Sequence, residues 1–150
     1  MDLILWRHAD AENGSHDSER KLTAKGIRQA ARMAKWLRAR LPENAVVMAS
    51  PAKRAQQTAR SLAADYKTVL EIGTSASAKD ILTACGWPGD ERTVVVVGHQ
   101  PTLGETAALL LTGATQQWSL KKGAVVWIVR RAETGGAGAV LRAAISPDLL

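Results

Sequence analysis

The sequence feature that most constrains the fold is TVVVVG, residues 93–98, in which every position from Thr93 to Val97 is β-branched. Such side chains favour strands, and an apolar run without alternating polar positions indicates a strand buried on both faces. Strands of this kind belong to parallel sheets, because the crossover between parallel strands is usually a helix that covers the sheet. The apolar run at residues 3–6 has the same character. Together the two runs indicate an α/β fold.

The rest of the chain alternates between strand and helix patterns. This predicts a three-layer α/β sandwich with a mainly parallel central sheet, helices on both faces and an antiparallel edge strand. Thr23 is suited to cap the first helix, and Ser50 followed by Pro51 is a typical helix start. Two apolar runs joined by the Gly-rich AETGGA predict a closing hairpin. The predicted strands are 3–6, 45–49, 68–72 and 93–98 with hairpin strands 123–131 and 138–146, and the predicted helices are 23–41, 50–66, 78–85 and 102–111.

Length and composition indicate one soluble domain, residues 1–150, in the cytoplasm. A chain of 150 residues can bury a core without disulfides or metals, and 46% hydrophobic residues exclude a disordered chain. No apolar run approaches the roughly 20 residues that a membrane span needs, and the N-terminal apolar stretch is too short for a signal peptide. The single cysteine, Cys85, allows no internal disulfide and fits a reducing compartment.

The net charge of +6 raises the question of an anionic partner, either nucleic acid or a phosphorylated substrate. Part of this charge belongs to the predicted helix 23–41, where cations fall opposite the apolar positions, as is typical of a solvated surface. No nucleic-acid-binding motif or set of aromatic stacking residues accompanies the charge, so we expect no nucleic-acid partner. The apolar positions are Ile27, Ala30, Ala31, Ala34, Leu37 and Leu41, and the cations are Lys25, Arg28, Arg32 and Lys35.

Four polar residues follow three separate predicted strands. Arg7 and His8 come directly after the first strand, and His99 comes directly after TVVVVG. Arg54 lies in the first turn of the helix that follows the second strand. Ligands of such sheets bind beyond the carboxyl ends of the strands, where these four side chains are expected to converge.

This set of side chains suits phosphoryl transfer. Arginine presents planar donors that match phosphate oxygens, and the start of a helix favours an anion. A neutral imidazole can attack phosphorus and carry the phosphoryl group, while a second histidine stabilises the charge that develops on its oxygens. Nearby cations keep the attacking imidazole neutral.

Each residue also has a purely structural interpretation. His8 could be a hydrogen-bonded core histidine, His99 could satisfy a turn, and Arg54 could be an exposed helix residue. A zinc site is disfavoured because the histidines lack ligand spacing and an arginine adjoins one of them. A cysteine nucleophile is disfavoured because no motif surrounds Cys85. We therefore expect no metal and no organic cofactor.

At this point the sequence resembles a known family. The stretches LILWRHADAE, DSERKLTAKGIRQA, ASPAKRAQQTA and VVVVGHQPTLGE resemble the histidine phosphatase superfamily, which has the phosphoglycerate mutase-like fold, and most closely its short SixA-type phosphohistidine phosphatases. The resemblance implies that His8 is the nucleophile and that Arg7, Arg54 and His99 hold the phosphoryl group. It further suggests Arg20 as an added substrate contact, with Asp17 near it.

Two departures from the family pattern bear on activity and substrate. Ala9 follows His8 where the family usually has glycine, and we expect this small change to be tolerated. Larger members carry an insertion that supplies an acid to protonate an alcohol leaving group, whereas here the corresponding segment offers only Glu71 and Asp80. Phosphohistidine has a labile P–N bond and needs no such acid. The resemblance therefore implies a phosphorylated protein of the histidine-phosphotransfer type as partner, with phosphate as product.

Two alternatives remain open from the sequence. The first is a phosphoester phosphatase that acts on small phosphorylated metabolites with Asp17, Glu12 or Asp80 as the acid. The second is a non-catalytic basic module that binds anions or nucleic acid.

Overall fold

The computed structural model describes residues 1–89, 91–131 and 138–150. Six strands form one sheet in the order β3-β2-β4-β1-β5-β6. The pairs β1–β4, β4–β2 and β2–β3 are parallel, and β5 runs antiparallel to both of its neighbours, β1 and β6. This confirms the predicted mainly parallel sheet with an antiparallel edge. The strands are β1 (Asp2–Arg7), β2 (Val46–Ala49), β3 (Lys67–Thr68), β4 (Thr93–Gly98), β5 (Val125–Arg130) and β6 (Ala139–Ile145).

Helices cover both faces of the sheet, as predicted. Alternate residues of β1 face opposite layers, so Ile4 and Trp6 pack towards one helix pair, α1 and α2, and Leu3 and Leu5 towards the other, α3 and α4. Strand β4 is buried from Val94 onwards, as the valine run indicates. None of the helices in the described part of the chain is long and apolar enough to cross a membrane. The helices are α1 (Ala24–Arg38), α2 (Lys53–Arg60), α3 (Ala78–Cys85) and α4 (Thr102–Thr112).

The predicted start of α2 was wrong. The helix begins at Lys53, its N-cap is Ala52, and no side chain caps it. The hydroxyl of Ser50 accepts the N–H of Ala52 and contacts His99, so it shapes the turn before the helix instead. The helix also ends at Arg60 rather than near residue 66.

The third predicted strand, residues 68–72, was also largely wrong. Only Lys67–Thr68 pairs with β2, and Leu70–Ile72 forms a short 3-10 helix. The N–H of Val69 bonds to the carbonyl of Ala49, the last residue of β2, so the ladder ends where its partner strand ends.

The cap of α1 was predicted correctly, but part of its apolar face was not. The hydroxyl of Thr23 accepts the N–H of Gly26. Gly26 is buried, and this position requires glycine because a Cβ there would lie 2.0 Å from the carbonyl oxygen of Asp10. Ile27 and Ala31, expected in the core, are exposed, and Met33 is buried instead. The helix ends at Arg38, whereas the prediction extended it to residue 41. Both hairpin strands are present, and the connection AETGGA lies outside the described residues.

Candidate active site

The structure brings Arg7, His8, Arg54 and His99 together at the carboxyl edge of the sheet. The N–H of His8 bonds to the carbonyl of Gly98 at 3.0 Å, which holds the end of β1 beside the end of β4. The rings of His8 and His99 lie 5.3 Å apart between centroids. All four side chains line one cavity of about 320 Å³. The other lining residues are Ala11, Asp17, Arg20, Thr74, Gln100 and Lys122.

Hydrogen bonding fixes the tautomer of His8. Its Nδ1 lies 2.7 Å from the backbone oxygen of Ala9, and a carbonyl oxygen only accepts, so Nδ1 carries the proton. Nε2 therefore keeps its lone pair, and it accepts a bond from Arg54 Nε at 3.3 Å. Burial lowers the pKa of His8 to about 3, aided by the charges of His99, Arg54 and Arg7 and opposed by the Ala9 bond. At neutral pH this imidazole is uncharged, and its Nε2 carries no proton.

The backbone after His8 is also anchored. The N–H of Ala9 donates to the hydroxyl of Thr58 at 3.1 Å. Ala9 is buried and packs in a small cluster with Leu22 and Ala30. The methyl group that replaces the usual glycine hydrogen is therefore accommodated by packing.

Arg54 is held rigidly although it is charged and buried. It donates through Nη1 to the backbone oxygen of Asp17 at 2.7 Å and through Nη2 to the carboxylate at 3.1 Å. Arg20 donates through Nε to the other carboxylate oxygen at 3.1 Å. The pKa of Asp17 is lowered chiefly by the bond from Arg54. The carboxylate of Asp17 is thus ionised and bridges two arginines at the cavity.

Arg7 and His99 each leave one buried nitrogen without a partner. Among the described residues, Arg7 Nε and His99 Nδ1 are the buried side-chain polar atoms that form no hydrogen bond. A second nitrogen of each side chain does have a partner, since Arg7 Nη1 donates to the carbonyl of Leu120 at 2.6 Å and His99 Nε2 lies 2.7 Å from the hydroxyl of Ser50. Buried polar atoms without partners are rare in proteins, and both of these belong to side chains that line the cavity, which favours a site for a polar ligand.

Burial lowers the pKa of His99 to about 4, with a further contribution from Arg54. His99 is therefore neutral at neutral pH and has one ring proton. If the Ser50 hydroxyl donates to Nε2, that proton lies on Nδ1, the nitrogen without a protein partner.

The three other candidate acids lie away from the cavity. Asp80 forms a capping box with Ser77 at the start of α3. Glu71 is exposed on the short 3-10 helix, and Glu12 is exposed in the loop after β1. Of the described residues that line the cavity, Asp17 alone carries a carboxyl. No group of three or more His, Cys, Asp or Glu residues in the described ranges could hold a metal ion.

Sequence reasoning missed four residues at the site. Gln100 follows His99 and could have been found from the strand end, as could Ser50, which follows β2. Lys122 lies just before β5, and an antiparallel strand starts at the edge where its parallel neighbours end. Thr74 follows the segment whose strand prediction was wrong, so no sequence signal located it.

The fold agrees with comparisons to known proteins. The chain belongs to the histidine phosphatase superfamily, since the model of its branch 1 matches residues 3–82. It is similar to the phosphohistidine phosphatase SixA of Escherichia coli strain K12, with 31% identity over 128 residues that cover 77% of each chain. These findings confirm the resemblance stated from the motifs and assign the chain to a family of phosphatases.

Two solved structures share the fold. A protein histidine phosphatase SixA complexed with tungstate superposes with a TM-score of 0.84 at 23% identity, over 99% of each chain. A phosphoserine phosphatase mutant from Entamoeba histolytica, in complex with phosphoserine, gives 0.74 at 19% identity, over 99% of this chain and 98% of that one. At these identities the likeness concerns the fold, and the two proteins act on different phosphorylated groups.

Proposed function

We propose that this protein hydrolyses phosphohistidine on a partner protein through a covalent intermediate on His8. The observation that carries the proposal is the uncharged His8, whose Nε2 carries no proton and which shares one cavity with Arg7 and His99, each with one unpartnered nitrogen. The similarity to a phosphohistidine phosphatase supports this choice of substrate.

In the first step, the hydrogen bond from Arg54 Nε to His8 Nε2 is released, and Nε2 forms a bond to phosphorus as the P–N bond of the substrate breaks. The leaving imidazole takes the electron pair of that bond and departs neutral, because its other nitrogen already carries a proton. His8 becomes a phosphorylated imidazolium whose Nδ1–H remains bonded to the Ala9 carbonyl. Arg7, Arg54 and His99 donate to the phosphoryl oxygens as their charge is redistributed.

In the second step, water attacks phosphorus and the bond to His8 breaks. The electron pair returns to Nε2, both water protons remain with the phosphate product, and His8 is again neutral. No proton has to be supplied to the leaving group in either step, because each leaving imidazole is already protonated on its second nitrogen.

The carboxylate of Asp17 favours phosphohistidine over a phosphoester. An alcohol leaving group needs a proton, and general acid catalysis contributes about 10²–10⁴ in rate. Asp17 is held ionised by Arg54 and Arg20, so it is a poor acid. We propose that Asp17 orients the two arginines and that Arg20 adds a contact to the substrate.

The test compares phosphate release from a phosphohistidine protein with release from para-nitrophenyl phosphate. We expect wild type to act on the phosphohistidine substrate in preference to the ester, and His8→Ala to lose at least about 10³ of this activity. The matched control is His16→Ala, which removes an exposed loop histidine outside the cavity and should leave the activity unchanged. Rapid quenching in base should trap an acid-labile phosphoryl group on wild type alone.

Two results would contradict the proposal. Full activity in His8→Ala would exclude a phospho-His8 intermediate. Faster turnover of the ester would mean that an acid serves the leaving group, and would make a phosphoester the substrate.

A further inference from the structure

Helix α1 carries an exposed ridge of cations, here called the α1 basic face: Lys25, Arg28, Arg32 and Lys35. They are spaced three or four residues apart and so lie on one side of the helix. The helix contains no acidic residue from Ala24 to Arg38. None of the four side chains forms an ion pair or hydrogen bond with a residue that the structure describes.

Local helix energetics oppose this arrangement. Like charges at these spacings repel by about 0.2–0.5 kcal/mol per pair. Lys25 lies in the first turn, where the positive end of the helix dipole disfavours a cation. An ordinary solvated helix mixes the two signs of charge, and an anionic partner would offset both effects here.

The α1 basic face borders a groove. Lys25, Arg28 and Arg32 line a cavity of about 180 Å³ together with Pro147 and Asp148 of the C-terminal turn. Asp148 is already engaged, because its carboxylate accepts bonds from Lys121 at 3.2 Å and from Ser146. The groove therefore presents three cations and one carboxylate, which is already paired with Lys121.

A chain of contacts joins this face to the candidate active site. Thr23, which caps α1, donates to one carboxylate oxygen of Asp10 at 2.7 Å. Lys122 donates to the other oxygen at 2.7 Å and also lines the active-site cavity. Lys25 follows two residues after the cap, and Arg32 lies about 10 Å further along the helix. The α1 basic face thus begins beside the cavity, and the carboxylate of Asp10 lies between Lys122 and Lys25 and interacts with the charge of both.

Apolar side chains border the same face. Ile27 is 58% exposed, and Ala31 lies one turn further along the helix and is also exposed. Exposed apolar residues beside arginines suit a protein surface better than a bare polyanion.

We propose that the α1 basic face and its groove dock an acidic surface of the protein that carries the phosphohistidine. Acidic side chains of the partner enter the groove while its phosphoryl group lies in the cavity. This inference rests on the proposed function, since it identifies the partner of the same site. Charge attraction of this kind raises the rate of encounter and is screened by salt.

The experiment uses two synthetic peptides of twelve residues. Each has one phosphohistidine followed by a tail that contains four glutamates in one peptide and four glutamines in the other. The variant is the double substitution Arg28→Glu/Arg32→Glu. The matched control is Lys67→Glu/Lys79→Glu, which makes the same charge change at exposed sites outside the cavity and outside α1.

We expect wild type to show a kcat/KM about tenfold higher for the glutamate peptide at low salt, falling to within about twofold at 0.5 M salt. Arg28→Glu/Arg32→Glu should lose the preference and keep the turnover of the glutamine peptide, and the control should keep both. Equal losses in the two double variants, or no preference in wild type, would overturn the docking proposal.

Two further measurements separate the possible failures. If wild type hydrolyses neither peptide, the proposed function fails, and binding of the unphosphorylated glutamate peptide then tests docking on its own by fluorescence anisotropy. Docking is supported if that binding is lost in Arg28→Glu/Arg32→Glu alone. The third outcome concerns a DNA duplex. If wild type binds the duplex with steep salt dependence, and Arg28→Glu/Arg32→Glu abolishes this binding but keeps the preference for the glutamate peptide, the face is a nucleic-acid surface and the proposal is overturned.

Discussion

The molecule has two positively charged regions that use charge in opposite ways. In the active-site cavity, Arg54 is buried and donates to His8 and to the backbone oxygen and one carboxylate oxygen of Asp17. On the α1 basic face, Arg28 and Arg32 are exposed and form no such bonds with the described residues. The guanidinium of Arg54 therefore donates hydrogen bonds in fixed directions, whereas Arg28 and Arg32 contribute only long-range electrostatic attraction.

The difference decides what each region contributes. A donor that the fold holds in place needs little reorganisation when charge develops in the transition state, so its contribution is large. An exposed cation is hydrated, mobile and screened beyond about 10 Å at 0.1 M salt. We therefore expect the cavity to determine the rate of phosphoryl transfer and the α1 basic face to determine the rate of association with the partner protein.

Replacing an arginine with lysine in each region should give the largest difference in kcat/KM between the two regions. Arg54→Lys keeps the charge but loses the planar fork that contacts His8 and Asp17 together, so we expect kcat/KM for a phosphohistidine substrate to fall about 10²–10³-fold. Arg28→Lys also keeps the charge, and there no geometry is lost, so we expect a change within about twofold. Steady-state kinetics at constant salt measure both.

A second control is Lys53→Ala, which removes the exposed cation next to Arg54 without touching the cavity. We expect near wild-type kinetics from it. A loss in Arg28→Lys comparable to that in Arg54→Lys would show that geometry matters equally in both regions, and the comparison would be wrong.

The pH dependence of stability gives the second contrast. The folded-state pKa values of His8 and His99, about 3 and about 4, lie below the unfolded value near 6.5. The unfolded chain therefore binds more protons as the pH falls below 6.5, and the free energy of unfolding decreases. We expect these two residues to lower it by about 2–4 kcal/mol between pH 7 and pH 5, measured by urea unfolding.

The variant His8→Asn/His99→Asn should flatten this pH dependence. His16→Asn, which changes a histidine exposed in the loop after β1, should keep the wild-type slope. An unchanged slope in the double variant would mean that the two buried histidines are not the source of the effect.

The sequence was sufficient to predict how the four central side chains converge. Their positions depend on strand ends. The runs that end before Arg7 and His99 are apolar throughout, which predicts central strands, and both runs are buried in the sheet. The family motifs then added roles that geometry alone did not supply. The position of a residue in the fold was therefore predictable wherever a strongly apolar run preceded it.

The parts that were not predictable depend on tertiary contacts. Residues 68–72 have strand-forming composition, but their partner strand ends at Ala49. Ser50 has the ideal chemistry for a helix cap, yet its hydroxyl bonds to His99. Ile27 fits the helical period but lies at the edge of the buried stripe, where packing rather than spacing decides exposure.

The smallest expected effect concerns Ser50, which touches the cavity only through His99. Its hydroxyl accepts the N–H of Ala52 and lies 2.7 Å from His99 Nε2. We expect the hydroxyl to donate to Nε2, which leaves the ring proton of His99 on Nδ1. Ser50→Ala removes this preference, so we expect kcat to fall about tenfold with little change in KM. Ser50→Thr retains the hydroxyl and should recover most of the loss.

Nitrogen-15 NMR of the histidine rings distinguishes this positioning role from a packing role. In wild type, the spectrum should report the proton of His99 on Nδ1, and in Ser50→Ala a mixture of the two tautomers. His8 serves as the internal reference, because its tautomer is fixed independently by the Ala9 carbonyl. A kinetic loss without a change in the tautomer of His99 would contradict the assignment, since Ser50 would then act through packing alone.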